Sequence, residues 1–200
     1  MKTEAEYEVP SWTQIHRMLS AQAEQICRSR FKPDVIVGVS RGGWLPARVL
    51  SDLLENSNLA SVKAECYVGI GVPLSQPILT QAVSVSVAGK KVLVVDEVAD
   101  TGRSLILVVN HIIAEGASEV KVATLYCKPQ SKVKPDFHEK ETSRWIVFPW
   151  ELKETVRKIF EANKANDLDV QREVSKLAAA GVSKRLINRF IKEFSEEKKC

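Results

Sequence analysis

The sequence predicts an α/β fold, a twisted and mainly parallel sheet flanked by helices, with a small helical bundle at its carboxyl-terminal end. Two apolar runs, Val35–Val39 and Val92–Val95, are too short for amphipathic helices and read as strands covered on both faces. Each leads through a loop of small residues into a segment with helical apolar spacing. The last quarter of the chain changes texture to three helical-period segments joined by short links.

The first helix is expected to start at Ser11, a good N-cap, and to run through Cys27 with Ile15, Leu19 and Ile26 on the face that packs on the sheet. Next comes the strand from Asp34 to Val39, then the turn Ser40-Arg41-Gly42-Gly43, then a helix from Trp44 to Leu54. From Ala64 to Gly89 the chain has no Lys or Arg. Gly69–Pro77 has the Gly and Pro content of a loop, and Leu79–Val87 alternates like a strand, which together suggest a hairpin lid. Tyr67, Ser75 and Thr80 are its polar candidates for reaching a ligand.

The run Val92–Val95 meets two carboxylates, Asp96 and Glu97, and then the loop Asp100-Thr101-Gly102-Arg103-Ser104. A helix from Leu105 to Glu115 follows, closed by Gly116 as a C-terminal cap. The loop therefore lies at a helix N-terminus, where unpaired N–H groups and the positive end of the dipole favour an anion. Gly102 permits close backbone approach, and Thr101 and Ser104 add hydroxyl donors. Asp96 and Glu97 repel phosphate, but they can accept hydrogen bonds from a sugar diol or hold a divalent cation. Phosphate on one side and diol on the other describe a phosphorylated ribose. The plainer alternative is a capped strand end followed by an ordinary turn. No Gly-Lys-Ser/Thr or Gly-x-Gly-x-x-Gly pattern is present here.

Beyond the helix, Val120–Tyr126 alternates like a strand and ends in Cys127-Lys128-Pro129. The apolar and aromatic stretch Arg144–Glu151 comes about fifteen residues later, and its Trp145 and Trp150 suit either a core or a stacking role. The three tail helices are expected at Leu152–Asn163, Asp167–Ala180 and Ser183–Phe194.

The stretch Val92–Ser104 resembles the phosphoribosyl-pyrophosphate (PRPP) motif of type I phosphoribosyltransferases. That resemblance implies that Asp100, Thr101, Gly102, Arg103 and Ser104 hold the 5′-phosphate of PRPP, that Asp96 and Glu97 engage the ribose and Mg²⁺, and that Asp100 handles the proton of a base. The family usually ends its acidic pair with Asp, where this chain has Glu97. Ser40-Arg41-Gly42 resembles the family's pyrophosphate loop, which implies a cis peptide at Ser40–Arg41. Lys128, Trp145, Ile146 and Glu151 resemble the purine-binding hood of the xanthine-guanine and hypoxanthine-guanine branch. Lys128 would then face the six-position edge of the base, Trp145 would stack on its ring, Ile146 would read the other edge through its backbone, and Glu151 would stand near base and metal. Bacterial members place a further acid where Val147 stands here.

The implied architecture is a phosphoribosyltransferase domain over residues 1–151, with a hood at about 127–151, and a three-helix extension over 152–200. The implied reaction transfers phosphoribosyl from PRPP to a purine base with Mg²⁺ and releases pyrophosphate, in an enzyme that is usually a homodimer. The helical tail resembles an archaeal branch of adenine phosphoribosyltransferases and tilts the expected base to adenine. Lys128 argues for a 6-oxopurine, the alternative reading, and the balance falls slightly to adenine, which would make the product AMP. A helix-turn-helix reading of Val174–Phe190, with Gly181 at the turn, makes a PRPP-sensing DNA-binding regulator the third reading.

The whole-chain charge of +4 is modest and gives no strong case for nucleic acid as a partner. The four cysteines lack metal or disulfide spacing, which fits a reducing cytoplasm. His16, His111 and His138 stand apart from any ligand cluster. No apolar run approaches the ~18 residues of a spanning helix and no signal pattern opens the chain, so a soluble, cytoplasmic protein is expected.

Overall fold

The computed structural model describes residues 7–66, 76–162 and 167–197. The chain forms two compact units, Ile15–Ser143 and Met1–Gln14 with Arg144–Cys200.

The larger unit holds most of helix α1 (Trp12–Arg28), then β2 (Val35–Ser40), α2 (Trp44–Leu53), β3 (Leu59–Cys66), β4 (Pro77–Gln81), β5 (Lys91–Ala99), α3 (Arg103–Ala114), β6 (Glu119–Cys127) and β7 (Phe137–Glu141). Its six strands lie in the order β4-β3-β2-β5-β6-β7 and are parallel except for β4. The apolar runs are strands because both faces are covered: Val35, Val37, Val92 and Val94 share one core with Leu105, Val108 and Ile112 of α3. On α1, Ile15, Leu19 and Ile26 are buried as their spacing requires. The buried Gln22 amide beside them donates to the Thr124 carbonyl at 2.8 Å. Ser11 caps α1 reciprocally with Gln14: Gln14 N–H donates to the Ser11 hydroxyl at 3.2 Å, and Ser11 N–H donates to the Gln14 side chain at 2.7 Å.

Two expectations need correction. The acidic pair does not follow its strand but lies inside it, because pairing with β6 continues to Val98↔Tyr126 and Ala99↔Cys127. The alternating run Leu79–Val87 is a strand only as far as Gln81. Its pairing with β3 is already irregular at Lys63/Ala64, and beyond it Val83 N–H donates to the His111 Nε2 atom at 3.2 Å instead of to a strand. Of the lid candidates, Thr80 lies exposed on β4, and Tyr67 and Ser75 fall outside the described residues.

The smaller unit pairs β1 (Tyr7–Glu8) in parallel with β8 (Trp145–Ile146) and contains α4 (Leu152–Ala162), α5 (Asp167–Ala179) and α6 (Lys184–Glu196). Its core joins Val147, Val156, Val170, Val174, Leu177, Val182, Ile187, Phe190 and Phe194. Residues 144–151 thus fold with the three helices: Val147 N–H donates to the Glu8 carbonyl at 2.8 Å, and the Val147 side chain enters the helical core. Among the described residues no helix is long and apolar enough to cross a membrane.

Candidate active site

β2 and β5 are neighbours in the middle of the sheet, and from them the chain departs in opposite directions, β2 through α2 to β3 and β5 through α3 to β6. That reversal makes the carboxyl ends of β2 and β5 a topological switch point, where open α/β sheets bind ligands. The two loops singled out by the sequence leave the sheet there side by side. The turn after β2 lies directly on β5. A Cβ on Gly43 would collide with the Val95 carbonyl and come within 2.8 Å of the Asp96 Cα, and a Cβ on Gly42 would stand where the Glu97 carboxylate now is. Ser40, Arg41 and Gly42 are therefore brought against Asp96 and Glu97, and the Ser40–Arg41 peptide is cis.

Asp96 and Glu97 are each partly buried, and Asp96 accepts the Glu97 backbone N–H at 2.9 Å. Burial pushes the Asp96 carboxyl up to about 7, against the smaller opposing effect of that hydrogen bond. A carboxyl so placed gains from any cation or hydroxyl donor that reaches it.

The second loop runs from the end of β5 to α3. Gly102 has φ 76° and is the N-cap of α3, with no side-chain hydrogen bond serving as a cap. Arg103 N–H donates to the Thr101 hydroxyl at 3.4 Å, and the rest of the first turn of α3 suits an anion. A Cβ at Gly102 would come within 2.8 Å of the Val133 nitrogen, so the glycine also lets the segment 128–133 lie over the loop. Lys132 N–H donates to the Thr101 carbonyl at 3.1 Å, and Lys128 N–H donates to the Ala99 carbonyl at 2.9 Å. Gln130 donates from Nε2 to Asp100 Oδ1 at 2.9 Å, which fixes the direction of an exposed carboxylate. Gln130 carried no motif of its own in the sequence, and only its place two residues after Lys128 could have drawn attention to it.

The four proposed base-contacting residues are divided between the units. In the larger, Lys128 directly follows β6, with only 9% of its surface exposed. In the smaller, Ile146 is buried, whereas Trp145 on the same short strand is 60% exposed. The two tryptophans have separated in role: Trp150 stacks on Phe148 at 4.8 Å and packs 5.5 Å from Trp12, while Trp145 presents its ring to solvent. Glu151 accepts the Phe148 N–H at 3.2 Å and so closes the turn that enters α4.

Strand order, switch point and paired loops define an α/β protein with its candidate site at the carboxyl ends of β2 and β5. The family model for the phosphoribosyl transferase domain matches residues 11–156. The solved purine phosphoribosyltransferase from Pyrococcus horikoshii is 36% identical, with a TM-score of 0.66 over 72% of this chain and 93% of that one. The hypoxanthine-guanine phosphoribosyltransferase of Saccharomyces cerevisiae is 27% identical over 78% of this chain and 80% of its own length. The xanthine-guanine phosphoribosyltransferase of Gluconobacter oxydans is 27% identical over 72% of this chain and 84% of its own. The chain belongs to the phosphoribosyltransferase family: it is a pentosyltransferase with the type I fold.

Proposed function

We propose that this pentosyltransferase moves the phosphoribosyl group of PRPP to a purine base, a 6-oxopurine by preference, and releases pyrophosphate. The observation that carries the reading is the juxtaposition of two loops at one switch point, Ser40–Gly42 against the acidic pair and Asp100–Ser104 at the open N-terminus of α3. On this reading Thr101, Gly102, Arg103 and Ser104 receive the 5′-phosphate through backbone N–H groups and side-chain donors. Asp96 and Glu97 accept from the ribose hydroxyls, and the backbone of Ser40, Arg41 and Gly42 receives pyrophosphate. A ring nitrogen of the base forms its bond to the anomeric carbon as the bond from that carbon to the pyrophosphate oxygen breaks. The proton on that nitrogen passes to Asp100, whose carboxylate Gln130 holds in direction.

The donor set fits magnesium. Asp96 and Glu97 offer hard carboxylate oxygens on neighbouring residues, and the raised Asp96 carboxyl marks a buried acid that a cation would return to its charged form. When bound, the ion neutralises charge on the pyrophosphate.

The choice of base rests on Lys128. An ammonium group only donates hydrogen bonds, so it suits the carbonyl oxygen of hypoxanthine, guanine or xanthine and not the amino group of adenine. The names of the curated relatives point the same way. Adenine is the second reading, favoured by the resemblance of the helical tail to archaeal adenine enzymes. The resemblance assigns the stacking, far-edge and supporting roles to Trp145, Ile146 and Glu151, which belong to the smaller unit. Pyrophosphate release from PRPP and Mg²⁺ with each of adenine, hypoxanthine, guanine and xanthine tests the reading. The 6-oxopurines are expected to give the higher kcat/KM. Preference for adenine would move the assignment to the second reading, and release with none of the four would end it.

A further inference from the structure

The tail holds a second surface that the pentosyl transfer does not use. Residues 144–200 carry 13 Lys and Arg against 9 Asp and Glu, while residues 1–143 carry 16 of each, so the whole net charge of the chain lies in this part. Within it α5 and α6 are joined by the four residues Ala180–Ser183, with Gly181 at φ 110°, a value that side chains rarely adopt. Leu177 before the turn, Val182 in it, and Ile187 and Phe190 after it are buried together, which locks the two helices into a helix-turn-helix.

The outer face of α6 is cationic from Lys184 to Lys192. Lys184, Asn188 and Lys192 lie one turn apart on one row, Arg185 and Arg189 on the next, and all five are exposed. Two acids at the end of α6 turn toward α4, while Glu196 stays exposed on the row of Lys192. Glu193 takes Lys153 of α4 at 2.7 Å, and Glu197, just beyond α6, takes Arg157 at 2.9 Å. Arg189 and Lys192 make long ion contacts to Glu193 and Glu196, at 3.7 and 3.8 Å, and the Arg189 guanidinium lies 5.3 Å from the Phe190 ring centroid. Lys184 and Arg185 make no ion pair among the described residues, and they occupy the first turn, where the positive end of the helix dipole disfavours cations. A local conflict of this kind, repeated at adjacent exposed positions, is relieved by a polyanion.

We propose that the α5–turn–α6 segment binds duplex DNA, with α6 in the major groove. A helix of 13 residues is about 20 Å long and fits a groove about 12 Å wide. Lys184, Arg185, Arg189 and Lys192 supply phosphate contacts, and Asn188 in the middle of the face has the amide that pairs with base edges. This function stands apart from the transfer reaction and does not depend on it.

Fluorescence anisotropy of a labelled 24-base-pair duplex with the full chain tests the proposal. Binding is expected to be tighter than about 10⁻⁴ M near physiological salt and to weaken linearly with log salt. The triple variant Lys184→Ala/Arg185→Ala/Arg189→Ala is expected to lose at least about tenfold in affinity and to lower the salt slope by about one per phosphate contact removed, with pyrophosphate release unchanged. Arg185→Glu, a single exposed substitution that leaves the helical core intact, should reproduce the loss, and Lys158→Ala on α4 should not. Absence of binding at 50 mM salt, equal binding by the triple variant, or preference for an RNA hairpin over the duplex overturns the proposal. So does a self-association of the chain that the triple variant abolishes without any DNA binding in the wild type.

Discussion

Gly42 lies under the Glu97 carboxylate, which takes the space a Cβ would need. That acid reaches back over the turn after β2 and ties it to β5. Gly42→Ala must therefore displace Glu97, and PRPP affinity is expected to fall at least about tenfold, read by calorimetry, with the far-ultraviolet circular dichroism unaltered. Asp100 stands at the mouth of the other loop and is aimed by Gln130. Asp100→Asn keeps the shape and the hydrogen bond but removes the base, so kcat should drop roughly 10²–10⁴-fold while the Kd for PRPP changes little. Near-normal turnover in that variant would remove Asp100 from the proton transfer.

Asp96 gives a pH dependence of the same site. Below its ordinary value of 3.8 both the native and the unfolded chain hold this proton, and between there and about 7 the native chain retains it while the unfolded chain has released it. The stability that burial of the neutral acid allows is thus present at low pH and is lost as pH rises through about 7. In metal-free solution Asp96→Asn should flatten this part of the Tm-versus-pH curve and raise Tm at pH 8 by at least about 2 °C, a change of about 1 kcal/mol in a chain of this size. A slope unaffected by the substitution would assign the pH dependence to another group.

Elements were legible where burial on two faces or helical spacing wrote them plainly. Val92–Val95, Val120–Tyr126, α1 and the three tail helices stand close to where their residues put them. The strands that escaped notice were Leu59–Cys66, whose alternation rests on small residues such as Ala60 and Ala64, and Phe137–Glu141, Tyr7–Glu8 and Trp145–Ile146, which are short; Phe137–Glu141 is also an edge strand rich in charge, as edges that avoid further pairing must be. The end of the Leu79–Val87 run was misleading because alternation persists in the residues after their partners have changed from β3 to a histidine on α3. Ser11 shows the opposite case, a local signal fully expressed. Ser11→Ala removes one arm of its exchange with Gln14 and should cost about 1 kcal/mol, seen as a fall of roughly 2–4 °C in Tm with activity retained.

At the scale of the whole molecule, the sequence named both loops but not their adjacency. Nothing in Ser40–Gly43 or Asp96–Ser104 states that β2 pairs with β5; that follows from the strand order, which places the crossovers on opposite sides. Gln130 and the inward turn of Glu193 and Glu197 were likewise hidden, since each depends on a partner about 30 or more residues away. The whole-chain charge of +4 conceals where it lies: residues 144–200 carry 13 Lys and Arg against 9 Asp and Glu, and residues 1–143 carry 16 of each.

Calorimetric titration of PRPP with Mg²⁺ into the full chain measures the central claim most directly. The expected result is saturable heat with one site per chain, lost when Thr101 and Ser104 are both changed to Ala. No heat from the folded protein, or undiminished binding in that double variant, would contradict the account.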